Sequence, residues 1–161
     1  MTLRTSSLLF CALLLLNADT VAGLNWTMPA GWKAEGAKPM RAATYTVGDA
    51  ECAVYFFGEG QGGSIDANIQ RWKGQFQSPT DSKSGKKTVH GMAVTTVDVS
   101  GAYTGMGGPM AGGGAAKPGY RMLAAIVEGP GGNVFFKFTG PAKTIAANQV
   151  KFDMLIGSVT K

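Results

Sequence analysis

The clearest periodic stretch of the chain is Gly62–Ser78. Ile65, Ile69, Trp72 and Phe76 recur at spacings of 4, 3 and 4, which places them on one apolar stripe of a helix. Gln70, Arg71, Lys73 and Gln77 fall off that stripe. Ser64 or Asp66 can cap its start, and Pro79 ends it. A second helix is predicted over Ala142–Val159, where Ile145, Phe152, Leu155, Ile156 and Val159 lie near one face behind Pro141. Shorter apolar runs predict strands. Met40–Val47 and Glu51–Gly58 read as a hairpin about Gly48–Asp49. In its second strand Cys52, Val54 and Phe56 share one face and Ala53, Tyr55 and Phe57 the other, so that strand is expected to be central and covered on both sides. Thr88–His90 and Met92–Ser100 read as short strands about His90–Gly91. Tyr120–Glu128 and Asn133–Thr139 flank the turn sequence Gly129–Gly132. Asn25–Lys38 reads as an opening turn about Pro29 and Gly31 with Trp26 and Trp32 as apolar anchors, and Pro79–Lys87 as a polar loop.

The order strands, helix, strands, helix predicts an α+β fold. Hairpin signals argue for an antiparallel sheet, and two amphipathic helices need its apolar surface, giving an αβα or two-layer sandwich. Gly105–Gly119 holds seven Gly and two Pro in fifteen residues and reads as a long hairpin loop, too poor in apolar side chains to order itself independently.

The N-terminus reads as an address. Arg4 precedes Leu8–Leu16, nine apolar residues, and Asn17–Gly23 then supplies polar and small residues. This is the layout of a secretory signal peptide, with Thr20 and Ala22, or Val21 and Gly23, at the cleavage positions. The apolar run is shorter than the roughly 20 residues that cross a bilayer. Residues 1–23 are therefore expected to be a signal peptide, residues 24–161 a single domain, and the protein to be exported to a periplasmic or extracellular space. Removing the leader takes away Cys11, so Cys52 and His90 remain the single residues of their kind and no internal disulfide forms.

Charge adds a modest constraint. The formal net charge is +5, which suits an acidic protein partner or an anionic envelope component. Arg71, Lys73, Lys83, Lys86 and Lys87 are candidates for a basic patch. No nucleic-acid-binding motif is visible, and nothing in the sequence calls for a cofactor or a metal.

Candidate chemistry is sparse. Gly58, Gly60 and Gly63 match the dinucleotide pattern GxGxxG, but that pattern needs a parallel βαβ unit with an acid at the next strand's end, and Asp81 falls in a polar loop. The same glycines read as a plain connection, and the start of the following helix as a weak anion site at Gly62, Gly63 and Ser64, since free N–H groups there carry partial positive charge. A hydrolase would need His90 as base, yet His90 sits in a turn. Cys52, among Val and aromatic neighbours, reads as a buried, inert thiol. Met106, Met110 and the pair His90 and Met92 offer soft ligands for Cu(I), though Met is also ordinary core filler. Asn25-Trp26-Thr27 is a sequon that matters only in a eukaryotic secretory route.

The opening Pro29–Trp32, the hairpin, the helix, the further antiparallel strands and a closing helix with Phe152, Leu155 and Ser158 together resemble the Mog1/PsbP-like fold group. The resemblance covers most of the exported chain by order of elements; the glycine-rich Gly105–Gly119 departs from it. A cystatin-like or other helix-on-sheet fold is the alternative. The resemblance implies a binding or assembly protein, some members of the group serving photosynthetic complexes, and it offers no catalytic motif to carry over. The expectation is thus an exported, non-catalytic binding module for an envelope partner or small ligand. The alternatives are an assembly or structural factor of a membrane-associated complex, and a small enzyme built on a carboxylate pair among Asp49, Glu51, Asp66 and Asp98.

Overall fold

A computed structural model describes residues 18–105 and 115–161. It is an antiparallel α+β structure. A two-stranded hairpin, β1 (Ala18–Val21) and β2 (Leu24–Thr27), precedes a seven-stranded sheet. The sheet runs β3 (Lys33–Ala34), β4 (Ala43–Val47), β5 (Ala50–Tyr55), β9 (Gly132–Pro141), β8 (Lys117–Gly129), β7 (Met92–Tyr103) and β6 (Phe76–Val89), every neighbour antiparallel. Helix α1 (Ile65–Lys73) joins β5 to β6, and α2 (Ala142–Gly157) closes the chain.

Side-chain alternation sorts the sheet into two faces. Cys52, Val54, Phe136, Phe138, Leu123 and Ala125 point to one face and pack under Ile145, Phe152, Leu155 and Ile156 of α2, with Trp26 and Trp32 from the N-terminal segment. Val97, Val99, Met122, Ile126 and Phe135 point to the other and pack under Ile69 and Trp72 of α1. The helices therefore lie on opposite faces, an αβα arrangement. Gly140 lets two strands meet closely: a Cβ there would stand 2.6 Å from that of Ala50.

Most expected elements are present, with four differences. The first helix is shorter than Gly62–Ser78: Gly74 stops it, and Phe76 begins β6 instead of continuing the stripe. Pro79–Lys87 is not a loop but the middle of β6, exposed throughout, paired with β7 from Asp81 onward after an irregularity at Gln77–Asp81. Its side chains have nothing to bury, because β6 is the sheet edge, so the hydrophobic signal of a strand is missing. The Asn25–Lys38 region, read as a turn, contributes β2 and β3. β8 starts at Lys117, inside the predicted loop; residues 106–114 of that loop lie outside the described residues. So does the apolar run of the predicted leader. Ala18–Val21, at the leader's end, pairs residue by residue with β2.

Candidate functional site

The α2 face is covered by a sixteen-residue helix. On the other face α1 is only nine residues long, and beside it the described residues leave a groove. Its floor is set by the register of three strands. Lys137 on β9 lies opposite Ala53 of β5 and Ala124 of β8. Two alanines flanking a long side chain leave space on both sides of it. Thr139 follows Lys137 on the same face, opposite Glu51 and Met122.

Two cavities meet there. One, of about 280 Å³, is bounded by Glu51, Ala53, Tyr103, Lys117, Tyr120 and Thr139. The next, of about 350 Å³, is bounded by Met40, Phe57, Asn68, Arg71, Trp72 and Phe135. Arg41, Tyr55 and Lys137 belong to both. The walls are aromatic: Tyr103 and Tyr120 stack at 5.8 Å and 2° between planes, and Tyr55 stacks on Phe57 at 5.9 Å.

Lys137 is 7% exposed. Its Nζ donates to Gln75 Oε1 at 2.5 Å and lies 3.2 Å from the Tyr103 hydroxyl, with the Tyr103 ring centroid at 5.4 Å. Both contacts are neutral. Burial lowers its pKa to about 8, helped by the charge of Arg41 and opposed by Glu51. Glu51, the nearby carboxylate, is engaged elsewhere: Lys38 reaches one oxygen at 2.8 Å and Arg41 the other at 2.7 Å. Its partial burial would raise its pKa, but these two cations outweigh that and hold the carboxyl below its usual range. Thr139 Oγ1 is buried and has no hydrogen-bond partner among the described residues.

The residues singled out in the sequence are placed as follows. Ser64 is the N-cap of α1, its Oγ accepting from the Ala67 N–H at 3.2 Å. Gly62 has φ 91°, and its carbonyl accepts from Asn68 Nδ2 at 2.8 Å. These two residues thus serve the turn into the helix, as does Gly63 at φ 80°. Gly58, Gly60 and Gly63 lead from β5 into α1, but β6 follows at the far edge of an antiparallel sheet, so the βαβ unit of a dinucleotide site is absent. Cys52 is fully buried, and burial pushes its thiol pKa up. His90 stands exposed in the β6–β7 turn with φ 45°, and its Nδ1 meets the Val159 carbonyl at 2.8 Å. Met92 is buried in the α2-side core, out of reach as a ligand beside His90; Met106 and Met110 lie outside the described residues.

The carboxylates and the basic residues are dispersed. Asp98 forms a two-bond pair with Arg121 at 2.8 and 2.7 Å on the α2 face. Asp66 is exposed in the first turn of α1. Asp49 accepts from Thr144 Oγ1 at 2.6 Å, and with Glu51 it borders the first cavity. The basic patch is divided: alternation sends Lys83, opposite Asp98, and Lys87, opposite Val94, toward the α2 face, and Lys86, opposite Thr95, toward the other. Lys137, the most distinctive residue of the groove, went unnoticed in the sequence. A lone Lys in the apolar run Val134–Phe138 was its only signal.

No protein-family model matches the chain, and no curated protein sequence matches it significantly. Solved structures do match. The solution structure of cyanobacterial PsbP (CyanoP) from Synechocystis sp. PCC 6803 aligns with a TM-score of 0.60 at 15% identity, over 96% of this chain and 97% of that one. PA94 of Pseudomonas aeruginosa, a protein of unknown function, aligns with a TM-score of 0.50 at 9% identity, over 91% and 96%. At these identities the likeness is one of architecture, and the chain has the PsbP-like α+β fold that its order of elements implied.

Proposed function

We propose that the chain is an exported, non-catalytic binding protein whose binding surface is the groove beside α1. The observation that carries this reading is Lys137: a buried lysine at the junction of two aromatic-walled cavities, with no carboxylate paired to it among the described residues. Concave, largely aromatic sites with a few convergent polar groups are where small ligands bind. The non-catalytic part draws support from the carboxylates. Glu51 is kept ionised by Lys38 and Arg41, so it holds no proton to give at neutral pH, and Asp98 is locked to Arg121. A general acid–base pair needs one protonated and one ionised partner.

Export rests on the pattern of Arg4 and Leu8–Leu16. In this reading the leader runs to Gly23 and includes β1, which in the uncleaved chain pairs with β2; there the Tyr45 hydroxyl donates to Asp19, and Trp26 Nε1 donates to Tyr45 at 2.7 Å.

The binding reading is tested by NMR on labelled protein against a small-fragment library. Shifts concentrated at Ala53, Tyr55, Tyr103, Tyr120 and Thr139 are expected. Hits that avoid these residues contradict it. A second reading, an assembly factor for a membrane-associated complex, is favoured by β6, a long exposed edge strand carrying Lys83, Lys86 and Lys87. Such an edge can accept a further strand from an acidic partner. Cross-links from those lysines to one envelope protein, with the groove unshifted by any fragment, would favour this second reading.

A further inference from the structure

Resting on the reading of the groove as a binding surface, we infer that its ligand class is a flat, ring-containing monocarboxylate, with the carboxylate on Lys137 and Thr139 and the ring against the aromatic wall of Tyr55, Tyr103 and Tyr120. Two buried polar groups of the groove lack a full set of partners among the described residues. A buried charge is costly unless it is paired and hydrogen-bonded. Lys137 has two neutral contacts, to Gln75 and Tyr103, and a third N–H direction with no partner among the described residues. The carboxylate that could have paired with it, Glu51, has both oxygens taken by Lys38 and Arg41. On the same strand face, two residues on, Thr139 Oγ1 is buried, bonded to nothing described, and beside the same cavity. A buried hydroxyl without a partner is rare in a folded protein. One carboxylate satisfies both: it accepts from the ammonium with one oxygen and from the hydroxyl with the other.

Size and shape argue for a ring behind that carboxylate. The cavity of about 280 Å³ lies at the lower end of ligand-site volumes. Its wall includes Tyr55 and the pair Tyr103 and Tyr120, which stack on each other, so a flat ring meets their edges, and such edge-to-face contacts gain beyond the area they bury. The charge count also favours an anion. Arg41, Lys117 and Lys137, with Lys38 on Glu51 beside them, outnumber Asp49 and Glu51 around the cavity, which leaves positive charge for an anion to meet.

The test uses benzoate and its uncharged analogue benzamide, titrated into the wild-type chain and into Lys137→Met and Thr139→Val, with groove shifts read by NMR. Benzoate is expected to bind at least tenfold more tightly than benzamide in the wild type. Lys137→Met should erase that ratio, and Thr139→Val should reduce it severalfold. Lys137→Met is scored only where its spectrum is that of the folded chain; the wild-type ratio and Thr139→Val stand without it. Equal binding of the two ligands at the groove overturns the carboxylate inference and leaves the groove reading intact. Groove resonances unmoved by both ligands, together with fragment hits elsewhere, overturn the two together.

Discussion

Lys137→Met should change the pH dependence of stability in a way that can be worked out from the site. The folded chain holds Lys137 near pKa 8, against an ordinary value of 10.5. Between these two pH values the unfolded chain binds a proton that the folded chain does not. Unfolding free energy therefore rises with pH through this window, by up to ~1.4 kcal/mol per pH unit. Below pH 8 both states are protonated and the cost of the buried charge is fully present. From pH 7 to pH 10 the gain from this lysine is about 2.5 kcal/mol. The neutral amine is well suited to the site, since it still donates to Gln75 and can accept from the Tyr103 hydroxyl. In the wild type alone the rise is partly hidden. Burial raises the pKa of Cys52, so its contribution is complete below the ordinary thiol value and is lost as pH rises above about 9. Tyr45 and Tyr103, both raised by burial, act in the same direction above about pH 10. The difference between wild type and Lys137→Met removes these shared contributions. Urea unfolding of both proteins at half-unit steps from pH 7 to pH 10 measures it. Wild type should gain on the mutant by about 2–3 kcal/mol across the range. Parallel curves would refute the reasoning, because they would mean that Lys137 titrates alike in both states.

Three other outcomes follow from the geometry. Tyr45→Phe removes the acceptor of the buried Trp26 N–H and the donor to Asp19, and should lower urea stability by about 1–3 kcal/mol without changing the slope. Gly62→Ala combines φ 91° with a Cβ placed 2.9 Å from Phe57 Cδ2; a loss of about 1–3 kcal/mol is expected in thermal or urea melts, and an unchanged midpoint would show that the turn relaxes freely. Intact-mass measurement of the exported protein should give an N-terminus at Gly23 or Leu24; a chain that keeps Arg4 and Leu8–Leu16 would contradict export through this leader.

Much of the fold was legible because its elements carry opposite signals. Ile69 and Trp72 repeat at helical spacing, the Gly129–Gly132 turn separates two apolar runs, and Cys52 and Val54 alternate with Ala53. Each has a face to bury, so the periodicity survives in the sequence. β6 buries almost nothing between Gln77 and Thr88, and its strand character comes from pairing with β7 alone, which leaves no mark in the pattern. The groove was hidden for a related reason. Tyr55 and Phe57 look like core residues, and only the shortness of α1 leaves them as walls of a cavity. Lys137 reads as an interruption of an apolar strand until Ala53 and Ala124 are seen opposite it, and those pairings join residues about 84 and 13 positions apart along the chain. Ser64 illustrates the converse. Its position before a helix was legible from the residue type and the apolar spacing that follows, and its Oγ accepts from the Ala67 N–H there.

The most direct measurement is a crystal structure of the chain soaked with benzoate. A ring is expected against the aromatic wall of the groove, with one carboxylate oxygen within hydrogen-bond distance of Lys137 Nζ and the second at Thr139 Oγ1. A groove that stays empty at saturating benzoate, or one closed by Lys137 turning onto a carboxylate of the chain itself, would contradict this placement.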